Sequence, residues 1–220
     1  MHNTTHNASN QSAGIEGDVA SLSARLGSPD LASWGQTATQ GSSSQIRNLP
    51  ELRQFIHAYC DQALVPRDLP VIRRAFHHSS RSEARELIAL DVSLSHDTAL
   101  IPFARASQHV GRGQLRRLEP LRDQRLVQRY LAAVRAGEAK GWHPVVFGLT
   151  LAIYSLPLRQ GMIHYATQTM NGFVHSAAGP LQLRQADCDE LLSQLDGRIP
   201  KLVSAALDTA DTASPRLITT

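Results

Sequence analysis

Ten histidines and two cysteines are the side chains of this sequence best suited to hold a metal or move a proton, and spacing decides whether they can. His77 and His78 are adjacent, so on a helix their imidazoles point about 100° apart. Two imidazoles that share one ion need i, i+4 spacing instead. A structural or solvated role fits this pair better than a metal site. His164 and His175 stand eleven residues apart, about three helical turns. They could share a helix face without touching, and packing or surface roles are again the simpler reading. His2 and His6 could catch a metal only weakly. Cys60 and Cys188 form neither a CxxC pair nor a disulfide framework, and read as two unpaired thiols.

Other catalytic patterns are missing. Gly111-Arg-Gly113 lacks the Gly-Lys-Ser/Thr that completes a phosphate-cradling loop. There is no GxSxG elbow and no HExxH. Catalysis by this chain alone is not expected, and an enzyme with a metal site at His77/His78 or His164/His175 ranks last among the readings. The strongest basic feature is the run Arg112, Arg116, Arg117, Arg122, Arg125 and Arg129. It reads first as a solvated helix face partnered by acids. The alternative function is a helical regulator that uses this Arg-rich face to bind nucleic acid or an acidic protein. Nucleic acid is the weaker partner, because Lys140 and Lys201 are the only lysines and no recognition-helix motif appears.

The elements that must position these residues are helical. Aromatics make up 5% of the chain, and the apolar positions are mostly Leu, Ala, Val and Ile, which favours helix packing over a β-sandwich. At 220 residues the chain suits one domain. The net charge of +3 is compatible with acidic partners and demands none. Leu52, Phe55, Ile56, Tyr59, Cys60 and Ala63 follow the rhythm of an amphipathic helix. Pro66 and Pro70 bound a turn before Ile72, Ala75 and Phe76 resume it. Leu87, Leu90 and Leu94 form a further stripe, then a loop near Ser95–Pro102 leads to a helix over Phe103–Leu118. Pro120 fits the first turn of the next helix, which carries Val127, Tyr130, Leu131 and Val134 and stops at Gly137–Gly141.

Pro144 opens a helix to about Ser155 that is apolar nearly all round, and so should be central and buried. Leu158–Ala178 reads as a long helix with Met162, Ala166, Met170, Phe173 and Ala177 on one face. Asp187 and Glu190 resemble a capping box, and a last helix uses Ile199, Leu202, Val203, Ala206 and Leu207. The expected fold is all-α, a single compact domain of roughly eight to ten helices. Residues 1–17 read as a disordered polar tail, 18–207 as the helical domain and 208–220 as a flexible tail. No basic and apolar leader follows Met1, and the apolar run Val145–Leu156 is too short to span a bilayer, so no membrane role and a cytoplasmic location are expected.

His143-Pro-Val-Val-Phe-Gly148 followed by Leu156-Pro-Leu158 resembles the His-Pro-x-x-Phe-Gly helix start and proline-led turn of the UreF family of urease accessory proteins. The following helix carries Tyr165, Asn171 and Ser176-Ala-Ala178, similar to the family's tyrosine, asparagine and Ser-Ala-Ala stretch. Gln185, Asp187 and Leu191-Leu192 resemble its Gln-Thr-Asp…Leu-Leu ending. Upstream, Ala63-Leu-Val-Pro-Arg-Asp-Leu-Pro70 is similar to its Ala-Pro-x-Asp-Leu-Pro linker, and Ser107 and Gly111 fit its Ser-x-x-x-Gly helix. Ser28-Pro29, Leu31, Gly35, Gln40 and Gly41 can be laid on its opening loop. The arginine usual after Ser-Ala-Ala is replaced by Gly179-Pro180, so the chain is identified as a divergent member.

The resemblance implies a non-catalytic scaffold that dimerises and binds a second accessory protein, UreD (also called UreH). That complex recruits the GTPase UreG, engages apo-urease for nickel insertion, and is proposed to modulate the GTPase. It implies no resident cofactor, with nickel handled by the partners. His143, Pro144, Phe147, Gly148, Pro157, Tyr165, Asn171, Ser107 and Gly111 would be structural signature residues. Ser176, Ala177, Ala178, Gln185 and Asp187 would contact partners.

Overall fold

The computed structural model describes residues 46–212, with side chains as far as Asp208. The expected polar tail, the short apolar stripe Val19–Leu26 and the opening loop at Ser28-Pro29 lie outside the described residues, as does the tail beyond Thr212.

The first helix, α1 (Leu49–Tyr59), is set by Asn48. Its side chain accepts from the Glu51 amide at 2.9 Å, and Glu51 reaches back to the Arg47 amide at 2.8 Å. This reciprocal cap satisfies amides that a helix start otherwise leaves open. The chain does not turn at Pro66 and Pro70, as the prolines suggested. Cys60–Asp68 is a π-helical stretch that runs straight into α2 (Leu69–Ser80). The Leu69 amide donates to the Leu64 carbonyl in the wider i→i+5 register. Pro66 has no amide hydrogen to offer this stretch, and the Arg67 guanidinium donates to the Gln62 carbonyl. Pro70 stands where the π stretch passes into α2, and it offers no amide hydrogen to the rod.

Then follow α3 (Ala84–Ser93), two 3-10 turns at Leu94–His96 and Ile101–Phe103, α4 (Ala104–Leu118) and α5 (Arg125–Ala136). Pro120 does not open α5. It lies in a turn whose carbonyls at Glu119 and Leu121 accept the Gln128 side chain at 3.0 and 3.1 Å, so the helix begins five residues later. Gly137 ends α5 at φ +81°, the left-handed position where glycine carries no side-chain penalty. The remaining helices are α6 (His143–Ile153), α7 (Leu158–Ala178) and α8 (Gln185–Thr212).

Asp187 is no capping-box start. It sits inside the first turn of α8, where Arg184 grips its carboxylate at 2.9 and 2.8 Å. Nor is there a separate last helix: α8 runs through Pro200 and past Leu207 to Thr212. Pro200 is tolerated because it is exposed, while the i, i+4 stripe of Leu191, Leu195, Ile199 and Val203 stays buried across it. Because α1 and α2 fuse through the π stretch, the eight α-helical segments make seven separate rods, against the eight to ten expected. Among the described residues there is no strand.

At the centre is α6, with every residue from His143 to Leu151 buried. Its largest contacts are with α2 and α4, and α3 and α7 complete the surround. Gly148 lets α2 approach: a Cβ there would lie 2.5 Å from the Ile72 carbonyl. Outside this centre α8 lies along α7, and the edge-on rings of Tyr59 and Phe55 close over Phe173 at 4.8 and 5.1 Å. No single helix among the described residues is long and apolar enough to cross a membrane.

Candidate functional site

The entry to α6 is built from a loop, two helices and one buried acid. Lys140, Gly141 and Trp142 form a tight approach, with Gly141 at φ +73°. Their three amides all donate to the Asp91 carboxylate on α3, from Trp142 at 2.8 Å, from Gly141 at 3.3 Å and from Lys140. The Tyr130 hydroxyl of α5 adds a fourth donor at 2.6 Å. Asp91 is wholly buried, and four donors are what a buried carboxylate needs to remain there. From the other side the Ser107 hydroxyl of α4 accepts the His143 amide at 3.2 Å, which caps the start of α6. One turn on, Gly111 makes room for the loop, since a Cβ there would stand 2.1 Å from the Gly141 carbonyl.

A second buried acid lies at the end of the π stretch. Asp68 accepts from the Tyr59 hydroxyl at 2.7 Å and from the Tyr165 hydroxyl at 3.4 Å. Burial drives its acidity down, pushing the pKa up to about 7 even though both phenols and Arg67 oppose the shift. Burial and the neighbouring Asp68 push both tyrosines well above their ordinary range. The Tyr165 ring then packs on His143 at 4.9 Å and on Phe147 at 5.1 Å. Burial takes His143 down to about 3, so its imidazole is neutral, and its Nδ1 has no hydrogen-bond partner.

The expected signature residues therefore converge. Ser107, Gly111, His143, Pro144, Phe147, Gly148 and Tyr165 meet around the first turns of α6, all inside the protein. Pro157 stands apart as the residue before α7, and Asn171 is half-buried farther along that helix. Of the expected partner contacts, Ser176 and Ala177 are buried, Ala178 and Asp187 half-buried, and Gln185 exposed. The residues sequence reasoning passed over are Asp91, Tyr130, Tyr59 and the role of Asp68. An acid inside the apolar stretch Leu87–Leu94 was the available signal for Asp91.

The histidines fall in different environments. His78 pairs with Glu83 at 2.7 Å, while His77 packs edge-on against Phe76. His164 is half-buried and its pKa is lowered by burial, whereas His175 is exposed. Among the described residues no three His, Cys, Asp or Glu side chains are placed to hold a metal ion. Cys60 and Cys188 are buried free thiols, and Cys60 lies 3.9 Å from the Met170 sulfur. In the Arg-rich run, Arg112 donates to the Lys140 carbonyl at 2.8 Å and Arg122 pairs with Glu119 at 3.8 Å.

The architecture defines a class: an all-α protein in which two buried acids and their partners hold a central helix in place. The UreF family model matches residues 46–196, most of the chain, and the chain belongs to the UreF family. The protein described as "Urease accessory protein UreF" from Sporosarcina pasteurii is 25% identical over 143 residues, which cover 64% of this chain and 70% of that protein.

Proposed function

We propose that this chain is a non-catalytic urease accessory protein. In this reading it is a cytoplasmic scaffold that, with a UreD-type partner, recruits the GTPase UreG to apo-urease for nickel insertion. The observation that carries the reading is the family match over residues 46–196, together with the likeness to a urease accessory protein. The interior supports it physically, because the signature residues are used to fix α6 and leave helical faces for docking. The scaffold works as a homodimer within the complex, and nickel passes through the partner proteins. Gln185 and the exposed edge of Asp187, at the start of α8, form the partner contact most open to solvent.

The test is co-purification from cells making the UreD-type protein, UreG and apo-urease, with urease activity read after nickel addition. The full chain should be captured with the first two and should be required for activation. Gln185→Ala with Asp187→Ala should keep the helical spectrum and melting temperature but weaken capture. Full urease activation without this chain would overturn the reading, and undiminished capture by the double variant would remove the start of α8 from it.

A further inference from the structure

Four helix ends meet at a cleft of about 480 Å³ on the side of the molecule formed by α2, α3, α5 and α6. Its walls include Ser79, Ser82, Asp123, Arg125 and Arg129, with Ala152 from the end of α6. Arg125 and Arg129 lie one turn apart on α5, both exposed and neither paired with a carboxylate among the described residues. The first turn of α5 opens onto the same space. Gln124 precedes it without giving a side-chain cap, its side-chain amide donating instead to the Asp123 carboxylate at 3.3 Å. The amides of that turn therefore present the positive end of α5 uncapped. Independently of the helix end, Ser79 lines the cleft at 5% exposure and its Oγ has no hydrogen-bond partner. A buried hydroxyl left unpaired is costly, and an oxyanion in the cleft would accept its hydrogen.

We infer that this cleft binds a phosphate group, as the free ion or as a small phosphomonoester. Two guanidinium forks, uncapped helix amides and a serine hydroxyl are the donor set that phosphate oxygens take. The space exceeds what a bare phosphate needs, leaving room for the group that bears it. Asp123 is the one carboxylate among the described lining residues and opposes the anion, which gives the inference a signed consequence.

The test uses the full chain in isothermal titration calorimetry at fixed ionic strength, with inorganic phosphate, adenosine monophosphate and adenosine as probes. Phosphate and the monophosphate should bind saturably and adenosine should not. Arg125→Gln and Arg129→Gln should each weaken binding about tenfold, the worth of one charge-assisted hydrogen bond. Ser79→Ala should weaken it less. Asp123→Asn should tighten it, which a merely structural role would not produce. The two arginines and Asp123 are exposed, so each variant should keep the wild-type helical spectrum. Tighter binding of the monophosphate supports a phosphomonoester as the source, and equal binding supports the free ion. Absence of saturable binding by either anion overturns the inference, as does binding indifferent to Arg129→Gln and Asp123→Asn.

Discussion

Asp91 and Asp68 are both buried aspartates beside the central helix, yet they hold different things. Asp91 takes three consecutive backbone amides and one phenol, so its carboxylate fixes the path of the chain into α6. Asp68 takes two phenols and no amide, so it fixes side chains and leaves the backbone alone. Amides cannot find new partners unless the loop moves, whereas hydroxyls can rotate. Asp91 is accordingly the anchor, and Asp68 is a polar centre able to keep a proton, with its pKa near 7. The difference teaches that burial of an acid says little until its donors are known.

The largest effect should come from Asp91→Ala. It strands three amides and the Tyr130 hydroxyl in the interior and should cost about 4–5 kcal/mol, enough to threaten the fold. Urea unfolding reads this, with loss of soluble protein as the extreme case. A cost no greater than that of Asp68→Ala would break the comparison. Next is Gly111→Ala, whose methyl would push the Gly141 carbonyl and so the same loop. About 3 kcal/mol is expected, the upper range for overpacking against backbone. A melting temperature equal to wild type would show that the loop is not held where Asp91 places it.

The third prediction tests the proton on Asp68 by pH. Asp68 has a folded-state pKa raised from 3.8 to about 7. Its contribution is fully present below about pH 4 and lost as pH rises towards 7. His143 is depressed from 6.5 to about 3, so its contribution is present above 6.5 and lost as pH falls. Between about pH 4 and 6.5 the folded chain keeps one extra proton on Asp68 and excludes one from His143, and the two slopes cancel. Asp68→Asn removes the first slope alone. Relative to wild type, the variant should gain about 3 kcal/mol of stability from pH 4 to 6.5. Urea midpoints at three pH values measure the difference, and parallel curves would mean that Asp68 carries no proton in the folded chain.

These two centres also mark where sequence reading stops. The central place of α6 was legible because apolarity all round a helix has one cheap solution, burial, and Pro144, Phe147 and Gly148 sit as their types imply. The same holds for α7, whose ends match the expected Leu158 and Ala178. The π stretch was not legible, since Pro66 and Pro70 carry the same letters in a turn and in a helix of wider register. Pro120 misled for a related reason: the side chain that holds its turn, Gln128, belongs to the following helix. The place of Asp91 in an apolar stretch hinted at burial, but its role was not legible because its partners lie 39 to 51 residues away, where no local pattern reaches. Ser107, Gly111, His143 and Tyr165 could be named one by one from the resemblance, but only the fold shows that they form one junction.

The smallest effects should come from the two phenols, and they test the comparison most finely. Tyr130→Phe removes a 2.6 Å bond to Asp91 and should cost about 1.5–3 kcal/mol, the worth of a hydrogen bond to a charged group. Tyr165→Phe removes only the 3.4 Å bond to Asp68, which keeps Tyr59 at 2.7 Å. The ring still packs on His143 and Phe147, so the cost should stay below about 1 kcal/mol. Yet the Tyr165 hydroxyl is one of the groups that hold the Asp68 pKa down. Losing it should raise that pKa further and carry the pH-dependent loss of stability to higher pH, where Tyr130→Phe should leave the alkaline limb unmoved. The variant that costs least would then shift the pH profile most. If Tyr165→Phe instead costs as much as Tyr130→Phe and leaves the profile in place, Asp68 behaves as a second anchor, and the distinction between the two acids fails.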